Sequence, residues 1–517
     1  MKRIILFLAI LACTSVYAQL PEDIIKFSWH NHNGSARYMA IGGTMGSLGG
    51  DITAGYVNPA GLALYRNEEA VFSFGVNSNK GKFTFRDANS STSKNGFLLG
   101  ASGYINGAPT GKVTTRTFAF TINQTADLNS QTNYSALNNY SSFSEQFAEE
   151  FSKSSLSIND VLNTNSPIPY TAAPALYTYL IDTVTIGNSL VVRGAPENIL
   201  DAGEAIRQEV QKRSRGGVYE LGLSYSETLN EKWLFGVTAG IPIISHSMET
   251  TLIESDTSAR TDNNFNRAVY QDEIKTTGAG INLKMGVIYR PQDYIRLGLA
   301  LHSPSYMLLT ENRTTSITNE GEGLIPTISA SSTLFTNDQP GENRYIQSNP
   351  WKAILSGSYV FREVEDTRRQ KGFVSADIEY QHHKGGRFHA YDEEGNETAG
   401  FQEKRAYFKQ VNNIVKELYK GAFNFRVGGE MKFNIIMARL GFAYYGSPYK
   451  SSPEKVYRTM LSGGLGYRHH GFFIDLTYVY NTSKGFDLPY RLEDRENTYA
   501  TTKYTRGGIF ATLGVKL

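Results

Sequence analysis

The chain has 517 residues with 51 basic and 49 acidic side chains, and a net charge of +2 excludes a surface built to hold nucleic acid. A single cysteine excludes a disulfide scaffold. With 32 Tyr, 28 Phe and 49 Gly against 16 Pro, the composition favours many strands joined by polar loops over helices.

At the start of the chain Lys2 and Arg3 precede an apolar run from Ile4 to Ala12, and Val16-Tyr17-Ala18 offers small residues at the cleavage positions. This reads as a secretory signal peptide over 1–18. A competing reading takes Cys13 as the acylated residue of a lipoprotein box, at the cost of a very short apolar core. Cleavage after Ala18 leaves a mature chain without cysteine. No later stretch reaches the ~18 to 20 apolar residues that a spanning helix requires.

Residues 19–69 are too few and too small-sided to build a core of their own. They need another structure to pack against. Within GGDITAGYVNPAGLALY, Pro59 pushes Asn58 towards an extended backbone while its own fixed torsion suits the first position of a short helix. Asn58 is then the expected cap of a turn over 59–64.

From residue 70 onward the dominant signal is alternation. Runs of this kind occur near 70–87, 95–105 and 111–123, then after a long insertion at 216–228, 231–245, 276–290, 292–303, 350–362, 371–383, 421–433, 434–446, 457–469, 470–481 and 502–517. In GINLKMGVIY, Ile281, Leu283, Met285, Val287 and Tyr289 share one face and Asn282, Lys284 and Gly286 the other. Ile295, Leu297, Leu299 and Leu301 continue the pattern after a tight turn at Pro291. The polar faces carry full charges, among them Lys284, Arg296, Asp377, Glu379, Arg426, Glu430, Arg439 and Asp475. A cylinder of about fourteen strands is too wide to fill with apolar side chains, so the charges are expected inside and the oil outside. Short connections fall around 106–111, Asn230, Pro291, Asn434 and His470, and long ones at 124–215, 246–275, 304–349, 384–420 and 482–501. That asymmetry predicts one plain rim and one decorated rim facing the exterior. The fold class expected is an all-β transmembrane antiparallel β-barrel of about fourteen strands, residues 70–517, with residues 19–69 as a plug in its lumen.

Three stretches of the long connections have a helical period: Phe143, Phe147 and Phe151; Ile199, Ile206 and Val210 behind Pro196; and Tyr407, Val411, Ile414 and Leu418. Phe143, Phe147, Phe151 and Ile414 are the candidate ligand-facing residues, although such stripes also simply bury themselves on the rim. Adjacent histidines at 382–383 and 469–470 point to opposite strand faces, and His30 with His32 has no third ligand in sequence, so no metal or other cofactor is expected. No nucleophile elbow, zinc helix or phosphate loop occurs, so no catalytic residue is assigned.

The run from Ala36 through Gly43 and Gly50 to Asn58-Pro59-Ala60-Gly61-Leu62, followed by a strand, resembles the N-terminal hatch of the FadL/TodX family of outer-membrane transport proteins. TGAGINLKMGVIYRPQDYIRLGLALHSPSYM resembles that family's central hairpin, and LGFAYYGSPY with LSGGLGYR its later strands. The resemblance extends to the branch found in Bacteroidetes, and the 124–215 insertion is its largest departure from the enterobacterial fatty-acid transporter. It implies a fourteen-stranded barrel plugged by the hatch, with Asn58, Pro59, Ala60 and Gly61 as hatch motif. It also implies a monomer in the outer membrane of a Gram-negative bacterium, in contact with its lipid and lipopolysaccharide, that admits small hydrophobic compounds such as long-chain fatty acids by diffusion, the ligand binding at an outer pocket, moving along the hatch and leaving sideways through a gap in the wall. The alternative is a scaffold for secretion or assembly, with a protein partner at the extracellular loops.

Overall fold

The computed structural model describes residues 21–110, 114–258, 260–322, 326–361, 371–392 and 398–517. The expected signal peptide lies outside the described residues.

Fourteen antiparallel strands form the wall. They are β1 (Glu68–Phe85), β2 (Ala88–Leu99, continuing as Ser102–Pro109), β3 (Thr115–Asp127, continuing as Ser130–Asn138), β4 (Ile206–Leu229), β5 (Trp233–Asp256), β6 (Arg267–Gln292) and β7 (Ile295–His302, continuing as Tyr306–Glu320). The second half comprises β8 (Gly341–Ser348, continuing as Lys352–Phe361), β9 (Gly372–Gln381, continuing as Arg387–Ala390), β10 (Ala422–Phe433), β11 (Ile436–Tyr445), β12 (Tyr457–His469), β13 (Phe472–Asp487) and β14 (Ala500–Lys516). Each strand pairs with the next, and a ladder from Glu69 opposite Lys516 to Thr84 opposite Thr501 joins β14 to β1, closing the cylinder.

Side-chain exposure settles which face is oily. Leu283 is 40% exposed and its neighbour Lys284 6%; Leu297 is 51% exposed and Arg296 6%. An apolar belt therefore faces outward and a charged wall inward, the arrangement a bilayer requires. Trp233 stacks on Tyr289 with ring centroids 4.3 Å apart beside the plain rim. Near the other end of the belt Trp351 stacks on His382 and packs at a tilt against Tyr380, so both edges carry the amphipathic rings expected at a membrane interface. Turns at Asn230-Glu231, Asn434 and His470-Gly471 hold positive φ, as tight hairpins do.

The strands run further than alternation alone suggested. β4 and β5 each have 24 residues and β6 has 26, roughly 80 Å at ~3.3 Å per residue, far beyond what the hydrocarbon needs. Much of the connections expected over 246–275 and before 215 is thus a strand wall standing clear of the membrane. The outer rim also carries α4 (Phe143–Ser154), α5 (Ile158–Val161), α6 (Ala172–Tyr177), α7 (Glu197–Asp201) and α8 (Ala399–Leu418), while α1 (Glu22–Lys26), α2 (Ala36–Ala40) and α3 (Ala54–Val57) precede the barrel.

One helical expectation fails. Only Glu197–Asp201 is helical behind Pro196; Gly203 at φ +79° ends it, and Ile206 and Val210 lie on β4. Ile206, Gln208 and Val210 are buried at a period of two. Ladders to Ser130–Asn138 on one side and to β5 on the other overrode the weaker helical spacing.

Candidate functional site

Residues 21–65 fill the lumen, and from Gly34 to Ala63 all but Gly50 are buried. Asn58 has an extended backbone, φ −140° and ψ 99°, before Pro59. Its side-chain oxygen accepts from Ala60 N at 3.1 Å and caps the 3-10 helix Pro59–Leu64. Its amide donates to the Gly46 carbonyl and to the wall carbonyls of Val287 and Leu299, at 3.3 and 3.4 Å. One side chain therefore caps a helix and fastens the hatch to β6 and β7. The wall has glycine where this approach is closest: a Cβ at Gly286 would overlap the Asn58 amide, and one at Gly441 would overlap Gly42. Gly61 accepts from Gly50 N at 3.3 Å, closing the hatch on itself.

Charge holds the other side. Arg37 donates to Glu430 at 3.3 Å and to the carbonyl of Gly50 at 2.9 Å, and Glu430 in turn accepts from Arg439, which also reaches Asp475. Arg426 lies 3.2 Å from Glu379 and 3.8 Å from Asp377, and Asp377 accepts from the hatch nitrogens of Met45 and Gly46 at 3.1 and 3.2 Å. Burial lowers His32 to about 4 against the pull of Glu379, so at neutral pH its unprotonated Nε2 accepts from Arg426 at 2.9 Å. Cutting Arg426 to leucine leaves buried Asp377 without its cation and Glu379 with Lys352 alone at 3.5 Å, a change that costs about 3–5 kcal/mol. The Arg426→Leu barrel should lose its heat-resistant folded band on gels at clearly lower temperature than the parent.

The wall is not paired throughout. Ala88–Leu99 of β2 pairs with β1, and Ser130–Asn138 of β3 pairs with β4, but the β2–β3 ladder runs only from Ser102 opposite Ile122 to Pro109 opposite Thr115. Beyond it the lips are bridged by side chains: Ser90 to the Asn133 carbonyl at 2.8 Å and Thr92 to the Gln131 carbonyl at 2.9 Å. At the apex Leu99 N donates to Gln124 Oε1 at 3.1 Å. There the hatch intervenes, with Asn33 Nδ2 donating to both the Leu99 and Gln124 carbonyls at 2.9 Å, and Asn123 donating back to the Asn33 carbonyl at 3.0 Å. Unpaired backbone is costly at membrane depth, so the amides of Asn33 and Gln124 stand in for missing ladder bonds. Leu99 is opposite Phe74, and on β1 the outward side chains turn polar only after Val76. The apex is thus within the apolar belt.

A cavity of about 470 Å³ lies against this seam, bordered by Trp29, His30, Leu98, Asp127, Arg458 and Phe510. The Arg458 guanidinium is 3.8 Å from the centre of the Trp29 ring, and among the described residues it has no carboxylate partner. A smaller, polar cavity of about 130 Å³ follows, reached by Lys284, His302 and Lys352. Trp29, His30, His32 and Asn33 border both, so this hatch segment is the partition between them.

Phe143, Phe147 and Phe151 lie on α4, but all three are buried in the apolar cluster of the outer rim, with Phe147 packed 5.2 Å from Tyr270. They do not border the lumenal cavity. Ile414 is half-buried on α8, also away from it. The residues that do meet there, Trp29, Asn33 and Arg458, and Gln124 at the seam, were not singled out from sequence. No group of three or more metal-binding side chains occurs among the described residues.

No known family profile and no curated protein matches the chain in sequence. Solved structures do resemble it. A FadL homologue of Pseudomonas aeruginosa superposes with a TM-score of 0.51 at 12% identity, over 94% of this chain and 99% of the other. The toluene transporter TodX of Pseudomonas putida gives 0.50 at 13% identity, over 94% and 99%. The chain has the plugged fourteen-stranded barrel fold of the FadL and TodX transport proteins.

Proposed function

We propose that the protein lies in the outer membrane as a channel through which small hydrophobic compounds diffuse, with no chemical step. The carrying observation is the continuity between the lumenal cavity and the seam: Leu98, Asp127, Asn129 and Ser130 border both. A solute entering from the outer rim reaches Trp29 and His30 and meets the Asn33 staple. It then leaves between β2 and β3 into the bilayer, never crossing the charged core of the hatch. The fold shared with a toluene transporter supports this reading.

The finer reading is a cargo with an apolar body and a carboxylate head, such as a long-chain fatty acid. Arg458 supplies a cation with no carboxylate partner among the described residues, and Trp29, Leu98 and Phe510 supply apolar surface. Arg458→Gln should weaken binding of a fluorescent fatty acid by about tenfold, the loss of one charge-assisted contact, and leave an uncharged aromatic hydrocarbon unaffected. Equal binding of the fatty acid by the variant removes the carboxylate reading. If purified barrel in vesicles accelerates entry of neither compound, and instead a stoichiometric protein copurifies with no amphiphile, the scaffold reading replaces transport.

A further inference from the structure

The second segment of β9, Arg387–Ala390, pairs on one side with β8, from Tyr345 opposite Ala390 to Ser348 opposite Arg387. Among the described residues no strand pairs with its other edge, because β10 begins lower in the wall, with Ala422 opposite Gln381. Helix α8 takes that place. Asn412 accepts from Phe388 N and donates to the Phe388 carbonyl, both at 2.8 Å, which gives the open edge the two bonds a neighbouring strand would supply. The helix cannot lie flush against a strand edge, and a groove of about 780 Å³ remains between them.

The chemistry of this groove is one-sided. Arg387, Arg405, Lys409 and Lys416 line it, with half-buried Phe401 as apolar floor, and no lining residue is acidic. None of the four cations forms an ion pair with a described residue, although cations elsewhere on the same rim are paired, as Lys153 with Glu493 and Arg193 with Glu197. Arg387 is held in place through Nη1, which donates to the carbonyls of Lys384 and Gly386, both at 2.7 Å. Arg405, Lys409 and Lys416 are exposed. Depth is fixed by the same strand: His382, stacked on Trp351 at the outer edge of the apolar belt, comes five residues before Arg387. The groove therefore stands directly beyond the hydrocarbon, at the level of lipid head groups.

We propose that this groove binds the phosphates of an outer-leaflet glycolipid, the cations taking the charge and Phe401 the first acyl carbons. The site is separate from the lumenal cavity, so it stands or falls independently of the transport reading. The test uses the full barrel in detergent, titrated with phosphorylated lipid A and followed by native mass spectrometry. Arg405→Glu with Lys409→Glu should weaken binding at least about tenfold, at ~1 kcal/mol for each basic residue near an anionic surface. The milder pair Arg405→Gln with Lys409→Gln should act in the same direction should the reversed pair fail to fold. Enzymatically dephosphorylated lipid A should bind the parent protein as weakly. The proposal is overturned by unchanged affinity in the folded variants or by equal affinity for the dephosphorylated lipid. It is equally overturned if inorganic phosphate alone binds as tightly as the lipid, or if an acidic protein rather than glycolipid occupies the parent barrel isolated from membranes.

Discussion

Replacing Gly286 by leucine should unseat the hatch and turn a closed barrel into a leaky one. The position faces inward on β6, and a side chain there would overlap the Asn58 amide, which caps Pro59–Leu64 and reaches the carbonyls of Gly46, Val287 and Leu299. No rotamer of leucine avoids the overlap, because it begins at Cβ. Forcing atoms into a packed contact and breaking a buried cap together cost about 3 kcal/mol, so the population with the hatch displaced should rise on the order of a hundredfold. The control is Gly357→Leu on the outward face of β8, away from the hatch, where a Cβ meets only Leu297 Cδ2 at 4.0 Å. Planar-bilayer conductance and the entry of a large hydrophilic antibiotic into cells measure the outcome. A folded Gly286→Leu barrel as tight as the Gly357→Leu barrel would mean that Asn58 does not hold the hatch in place.

The same glycine shows how far the amino-acid sequence reads. Alternation located every wall strand, because a strand with lipid on one side and charge on the other must repeat at two residues. The charges on Lys284, Arg296, Asp377 and Arg426 gave the inward face correctly, since a wide lumen cannot be filled with oil. Gly286 was visible as a polar-face member of its strand. Its role was not, because it depends on which hatch atom comes to rest opposite it, and nothing local encodes that. Strand ends were misjudged for a related reason: above the membrane both faces of β4 and β5 are polar or mixed, so alternation fades while the ladders continue. At Ile206 and Val210 a helical spacing of four coincided with a strand spacing of two, and only the partners on either side decide between them. The seam was least legible. It arises from an interruption of β2 between Leu99 and Ser102 and an irregular register at Gln124 and Ala126 on β3, each a displacement of one or two residues that leaves composition unchanged.

The seam carries the second large effect. Asn33 and Asn123 are in contact at its apex, Asn123 Nδ2 being 3.0 Å from the Asn33 carbonyl while Asn33 bonds both lips, so a cysteine pair at the two positions tests the exit, with disulfide formation read first as loss of free thiol on oxidation. The described chain contains no other cysteine, which makes the cross-link unambiguous. If hydrophobic solutes leave through this apex, Asn33 must let go of Leu99 and Gln124 in each passage, and a covalent link holds hatch and lip together. The oxidised Asn33→Cys, Asn123→Cys barrel should then take up a fluorescent fatty acid at least about tenfold more slowly than its reduced form, a bias of ~1.4 kcal/mol or more against the open lip. Reductant should restore the rate, and each single-cysteine variant should be indifferent to oxidation. Binding in the lumenal cavity should survive the cross-link, since Arg458 and Trp29 are not touched by it, so capture and release separate in one protein. An oxidised barrel that passes the compound at the reduced rate would place the exit elsewhere in the wall and leave the Asn33 staple a purely structural bond.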